Sequence, residues 1–150
     1  SGDSRLLRHV VKAVLATGCR VAVGTTTPIP DQDPEHDDVV QGMLPGNEMA
    51  AIAQLVICNG GSPGTHQALQ AGTPVLGIPS NLDQLLNMHF VTRSGAGFAL
   101  RADQVTAGHM GEMVQGLIRE ACFRECAQAV RGWFGNYHAE ERFQRAISGI

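Results

Sequence analysis

The stretch LVICNGGSPGTHQALQAGTPVLGIP, residues 55–79, limits the fold more than any other part of the chain. Two short apolar runs, 55–58 and 74–79, enclose a glycine-rich turn and a helical segment that ends at Gly72. Neither run alternates polar with apolar residues, which marks strands covered on both faces. Two such strands separated by a helix must run parallel, and the connection between them is right-handed.

The same order recurs along the rest of the chain. Leu7, Val10, Val11, Val14 and Leu15 repeat at helical spacing. Asp3 or Ser4 is the expected cap of that helix and Gly18 its end. Residues 20–25 read as a strand, and 38–44 as another running into Pro45 and Gly46. Asn47 is the expected cap of a short helix carrying Met49, Ile52 and Ala53. After the strand at 74–79, residues 83–93 form a helix whose inward residues are expected to be Leu86, Phe90 and Val91. A last strand covers 98–100, and helices follow over 106–120, 121–133 and 137–148. Between residues 26 and 38 lie three prolines and five acidic groups, the composition of an exposed loop. Strands and helices alternating in this way predict one α/β domain with a parallel sheet in a three-layer α/β/α arrangement.

Length and composition exclude several classes. At 150 residues the chain is long enough for one domain with a real core. Its net charge of -3 and the absence of a basic run argue against nucleic acid as a partner. No apolar run reaches the length that spans a membrane. Of the four cysteines, Cys19, Cys58, Cys122 and Cys126, no two form a C-x-x-C pair. Cys58 falls in a strand, and Cys122 with Cys126 on one helix face reads as core packing rather than a metal site. Unpaired thiols make a reducing, cytoplasmic compartment the expectation. The acidic stretches at 31–33 and 35–38 read as solvated charge, not as metal ligands.

Parallel sheets bind ligands outside the carboxyl ends of their strands. Here those ends carry GTTTP, GMLPGN, NGGSPGT and PSNLDQ, so the polar and glycine residues gather on one edge. In NGGSPGT the chain passes from a strand into a helix start, where N–H groups lack partners and about half a positive charge accumulates. Glycine lets backbone approach a ligand without a Cβ in the way. The chemistry suits a phosphate or diphosphate, although a glycine turn also serves tight packing alone. The loop is neither G-x-x-x-x-G-K-[ST], nor G-x-G-x-x-G after a first strand, nor G-x-S-x-G. One strand along, Asp83 and Gln84 offer a carboxylate and an amide to a hydroxyl-rich ligand. The plainer role for Asp83 is to cap its own helix. A diphosphate site beside a polyol site describes a nucleotide sugar.

Residues 59–87, NGGSPGTHQALQAGTPVLGIPSNLDQLLN, resemble the donor-binding signature of UDP-dependent glycosyltransferases with the GT-B fold. The pattern is met without insertion at Gly60, Gly61, Gly64, Ala68, Leu69, Gly72, Pro74, Leu76, Pro79, Asp83, Gln84 and Asn87. Weaker resemblance covers 39–49 and 95–100. The resemblance implies the C-terminal, Rossmann-like half of a two-domain enzyme, with the N-terminal acceptor domain and the first strand of this domain outside the sequence. It implies a nucleotide-diphosphate sugar as partner, a hexose passed to an acceptor hydroxyl, and no metal or other cofactor. By the same resemblance, Gly60, Gly61, Ser62, Gly64 and Thr65 present N–H and hydroxyl groups to the diphosphate. Gln67 meets the ribose, Asp83 and Gln84 hold the sugar, Met43 and Leu44 lie beside the base, and residues 1–3 form a loop near the phosphates.

The chain departs from the family pattern at three site positions. Asn59 stands where His is usual, Pro63 where Gly or Asn is common, and Gln67 where Glu is common. Asn59 still donates but carries no charge, and Pro63 lacks an N–H. None of the six histidines falls on the family's catalytic position, and His66 reads as a surface or supporting residue. Two other readings stay open at this point. One is a GT-B-fold nucleotide-sugar 2-epimerase, which the D-Q-x-x-N ending disfavours. The other is a non-catalytic binding module that keeps the fold, which the three departures favour.

Overall fold

The computed structural model describes residues 2–26 and 37–149. Helix α1 (Gly2–Leu15) precedes strands β1 (Val21–Gly24) and β2 (Val39–Gly42). Then come α2 (Gly46–Ile52), β3 (Val56–Cys58), α3 (Ser62–Ala71), β4 (Val75–Gly77), α4 (Leu82–Arg93) and β5 (Gly97–Ala99). A 3-10 turn (Ala102–Gln104) leads to α5 (Ala107–Arg119), α6 (Ala121–Asn136) and α7 (Ala139–Ser148).

Every strand pairing is parallel, as the strand–helix alternation requires. The described strands form two groups, however: β1 beside β2, and β3-β4-β5 with β4 in the centre. The registers are Val21↔Val39 through Gly24↔Gly42, Ile57↔Leu76, and Leu76↔Phe98. Alternation along β4 sends its side chains to two cores. Leu76 and Ile78 meet Val10, Ala13 and Val14 of α1 and Met110, Val114 and Leu117 of α5. Val75 faces Ala68 and Leu69 of α3, Met88 and Val91 of α4, and Ala127 and Val130 of α6. A smaller cluster of Val11 and Val23 joins α1 to β1. The result is helices on both faces of parallel strands, the expected α/β/α layering.

Parallel hydrogen bonding also says which backbone groups lack a strand. Val21 N–H donates to Asp38 and Thr25 N–H to Gly42, so the odd-numbered residues of β1 face β2. Val56 N–H donates to Pro74, and Cys58 C=O accepts from Ile78, so these two face β4. By the alternation of a parallel ladder, Ala22 and Gly24 on β1 and Ile57 on β3 turn their backbone groups the other way.

Several expectations are corrected in detail. Helix α1 already runs from Gly2, so Asp3 and Ser4 lie within its first turn rather than at its cap, and 2–3 are helix rather than loop. Ser1 lies outside the described residues, as do 31–36 of the acidic loop. The cap of α2 is the backbone of Pro45, and Asn47 sits inside the helix. Helix α4 turns Gln84, Asn87, Met88 and Val91 inward, while Leu86 is 53% and Phe90 66% exposed. That inward set repeats at i, i+3, i+4 and i+7, so two polar residues sit on the packed face. Cys126 flanks the core beside α3, but Cys122 is exposed rather than packed.

Candidate functional site

The loop after β3 is built by its own side chains. Gly60 has φ of 81°, a conformation that costs little only for glycine. A Cβ there would lie 2.5 Å from Met88 Cγ and 3.3 Å from the Gln84 carbonyl oxygen. Gly60 N–H donates to Cys58 Sγ at 3.3 Å, and Gly61 N–H to Asn59 Oδ1 at 2.9 Å. Burial pushes the Cys58 thiol above its ordinary pKa, and the Gly60 N–H offsets part of that rise. Cys58 is therefore a neutral acceptor under the loop.

Helix α3 starts at Ser62, three residues before the start at Thr65 that the sequence pattern predicts, with Gly61 as its cap. Pro63 occupies the first turn, where its missing N–H removes no helical bond. Ser62 and Gly64 N–H groups have no hydrogen-bond partner among the described residues. They are the two unpaired donors at the positive end of a ten-residue helix.

Thr65 is held inside the loop. Its side chain is buried, and its hydroxyl lies 3.1 Å from Gly61 O and 3.2 Å from Ser62 O. Its N–H donates to Gly61 O at 3.2 Å. Thr65 is thus a strut inside the loop. Gly60 and Gly61 likewise have their N–H groups engaged internally, so their part is to shape the turn. Asn59 spends its oxygen on Gly61 and leaves its exposed NH₂ available.

The loop after β4 lies alongside, because Cys58 and Gly77 are register partners. Asn81, not Asp83, caps α4 and accepts from Gln84 N–H at 2.9 Å. Asp83 is exposed in the first turn and has no hydrogen-bond partner among the described residues. Gln84 Oε1 accepts from Ser80 N–H at 2.8 Å and Ser80 Oγ at 3.0 Å. A backbone N–H only donates, so the Gln84 oxygen must face Ser80 and its NH₂ faces away. Asp83 and Gln84 therefore offer one acceptor and one donor to hydroxyls.

Asn87 joins the two loops. Its Nδ2 donates to Gly60 O at 2.6 Å and to Thr65 Oγ1 at 2.8 Å. The motif contains Asn87, but nothing local in the sequence assigns it this contact.

Met43 and Leu44 follow β2 on the same strand-end edge. Met43 is 82% exposed and forms a free shelf, while Leu44 is half-buried. Gln67 packs against the next turn: a Cβ on Gly46 would lie 2.6 Å from Gln67 Oε1. Glycine at 46 is what admits this side chain, and it brings the loop after β2 and Gln67 together. An open cleft of about 320 Å³ lies on the outer side of α2, α3 and α6, lined by Asn47, Ala51, Gln67, Gln70, Ala71 and Arg131. Of the candidate site residues it shares only Gln67. His66 packs its ring against Phe134, 5.6 Å between centroids, which turns it toward α6. Among the described residues no group of three metal-ligating side chains occurs, and no helix is long and apolar enough to cross a membrane.

Comparison with known proteins identifies the family and the fold. The chain is 38% identical over 135 residues to a PGL/p-HBAD biosynthesis glycosyltransferase from Mycobacterium tuberculosis, covering 90% of this chain and 32% of the relative. It spans about a third of the length of the curated relatives it matches. A crystal structure of the glycotransferase of kitacinnamycin superposes with a TM-score of 0.84 at 18% identity, covering 95% of this chain and 38% of that one. Spinosyn rhamnosyltransferase SpnG complexed with thymidine diphosphate gives 0.70 at 22% identity, covering 85% and 36%. The fold is therefore that of a GT-B glycosyltransferase domain. A family model described as erythromycin biosynthesis protein CIII-like, C-terminal domain, matches residues 13–134, and the chain belongs to that family.

Proposed function

We propose that this chain is the donor-binding half of a glycosyltransferase that passes a hexose from a nucleotide diphosphate to an acceptor hydroxyl without a metal. One observation carries the reading: the unpaired Ser62 and Gly64 N–H groups open onto the edge that also holds Asp83 and Gln84. The diphosphate would lie against the start of α3, with the Ser62 hydroxyl and the Asn59 NH₂ as further donors. The sugar would use the Asp83 carboxylate as acceptor and the Gln84 NH₂ as donor. The base would rest on Met43 and the Leu44 backbone, and the ribose beside Gln67. The relative and the neighbours named above are glycosyltransferases, which supports transfer over epimerisation.

In the transfer, the bond from the anomeric carbon to the diphosphate breaks and the sugar takes on oxocarbenium character. Negative charge grows on the leaving diphosphate, where the α3 dipole and its free N–H groups stabilise it. The acceptor and the base that deprotonates it belong to the remainder of the protein. Each charge-assisted contact contributes about 1.5–3 kcal/mol, so several together give micromolar to millimolar affinity after ordering costs.

The inward-turned backbone groups of Ala22, Gly24 and Ile57 support a further part of the proposal. A parallel strand directly before α1 fits between β1 and β3 and gives the order β2-β1-strand-β3-β4-β5, the doubly wound arrangement. Extending the chain upstream should then raise its melting temperature and protect those three amides from exchange. The four free thiols support a cytoplasmic protein.

Calorimetric titration with UDP, dTDP and GDP, free and as sugars, tests the reading. Saturable binding of UDP or dTDP is expected, with no transfer by the isolated chain. No saturation by any of them at millimolar concentration would overturn it.

A further inference from the structure

We infer that Asn87 is a positioning residue: it locks the glycine loop in the one shape that leaves the Ser62 and Gly64 N–H groups open to an anion. The inference rests on the donor-site reading above and assigns a role to a residue that touches no part of the ligand. Both protons of the Asn87 NH₂ are used, one on Gly60 O at 2.6 Å and one on Thr65 Oγ1 at 2.8 Å. Thr65 then has only its own proton to give, and its acceptors are the Gly61 and Ser62 carbonyls. A single carboxamide on α4 therefore fixes the carbonyls of three consecutive loop residues, 27 positions away in sequence. A carbonyl that points into the fold forces the N–H across the same peptide plane to point outward. The Gly61–Ser62 plane is set in this way through Thr65 and carries the free Ser62 N–H on its outer side. The Ser62 carbonyl shares its plane with Pro63, which has no N–H, so Gly64 N–H is placed by the first α3 turn that Thr65 anchors.

The orientation of Asn87 leaves no ambiguity, because Gly60 O can only accept and must face the NH₂. Aspartate at this position has the same shape but no donor. It would place a carboxylate against the Gly60 carbonyl and push the loop off the helix. Asn87 also sits one residue from Met88, whose side chain fills the space under Gly60. Side chain and backbone of α4 thus hold the same turn from two directions.

The test compares Asn87→Asp, Asn87→Ala and Thr65→Val with Thr65→Ser, which keeps the hydroxyl. Thr73→Val is the control, since it removes a buried hydroxyl bond (to Ala50 O, 2.8 Å) away from the loop. Affinity for dTDP and UDP is measured by calorimetry, and the Ser62 and Gly64 amides are followed by ¹H–¹⁵N NMR. Loss of one or two loop hydrogen bonds should weaken diphosphate binding about tenfold or more in the first three variants. Thr65→Ser and Thr73→Val should bind within about twofold of the parent, although Thr73→Val melts lower. In the unliganded protein, Asn87→Asp and Asn87→Ala should shift the Ser62 and Gly64 resonances and speed their hydrogen exchange. If the parent binds no nucleotide, the donor-site reading fails, and the amide shifts still decide the clamp. Unmoved Ser62 and Gly64 amides in Asn87→Asp overturn the inference, as does diphosphate affinity equal to that of the parent.

Discussion

Replacing Gly60 with alanine tests the loop at its most constrained point. With φ at 81°, Gly60 sits where an L-residue pays about 1–2 kcal/mol for backbone strain. The added methyl would also lie 2.5 Å from Met88 Cγ and 3.3 Å from the Gln84 carbonyl oxygen. Neither neighbour yields easily. Met88 is fully buried between α3, β4 and α6, and the Gln84 oxygen belongs to a helix backbone. Overpacking of this kind costs about 1–3 kcal/mol. Gly60→Ala should therefore lose about 2–5 kcal/mol. At about 2–4 °C per kcal/mol for a domain of this size, the melting temperature should fall by roughly 4–20 °C. Gly116→Ala gives the opposite sign. Gly116 lies inside α5, where an added Cβ meets nothing within 4 Å, so helix propensity alone predicts a gain of about 1 kcal/mol. Thermal unfolding followed by circular dichroism, with urea titration as a check, measures both. A Gly60→Ala protein that melts within about 2 °C of the parent, a loss of no more than about 1 kcal/mol, would refute the claim that this turn is held in a left-handed shape by α4.

Three other outcomes are expected. Thr73→Val leaves the Ala50 carbonyl without its 2.8 Å partner between α2 and β4, and should cost about 1–3 kcal/mol in urea unfolding. The raised pKa of Cys58 favours its protonated form in the folded state, so its stabilising share is intact below the ordinary thiol pKa and lost as pH rises. The urea midpoint should then fall above about pH 8.5, less so in Cys58→Ala, and iodoacetamide should label exposed Cys122 well before Cys58. Asp83→Ala should weaken a nucleotide sugar about tenfold while leaving the free nucleoside diphosphate within about twofold, as calorimetry with both ligands will show; equal loss of the two ligands would remove Asp83 from the sugar subsite.

Much of the fold was legible because the apolar runs are short, unbroken and regularly spaced. Strands at 55–58 and 74–79 and the stop at Gly72 follow from composition alone, since Gly72 takes the left-handed shape that ends α3. Helix phase was less legible. In α4 the apolar residues Leu82, Leu85, Leu86 and Phe90 all face outward, so counting them points to the wrong side. The packed side is defined by Met88 and Val91 with two polar residues, Gln84 and Asn87, whose inward position depends on the loops they bind. Helix starts were also misjudged, because a backbone cap at Pro45 or Gly61 carries no side-chain signal. The split of the strands into two groups depends on which strand neighbours which, and residue patterns do not encode that order.

The site shows a different limit. Its residue types were legible, but not how they divide the work. Asn59, Cys58 and Thr65 are all able to bind a ligand or to bind the loop, and their sequence is the same in either case. Packing decides: Thr65 has no surface, Cys58 lies under Gly60, and the Asn59 oxygen reaches Gly61. Once these groups are committed to the loop, the donors left over among its described residues are Ser62 N–H, the Ser62 hydroxyl, Gly64 N–H and the Asn59 NH₂. That remainder explains the departures from the family pattern in physical terms. Pro63 removes an N–H at a helix position whose donor would have no helical partner, and it fixes φ for the first turn. Asn59 holds the loop with its oxygen and still carries a neutral NH₂ donor. On the proposed reading the altered loop keeps an anion site with one N–H donor fewer at Pro63, and the Asn87 contacts to Gly60 O and Thr65 Oγ1 are what hold its shape.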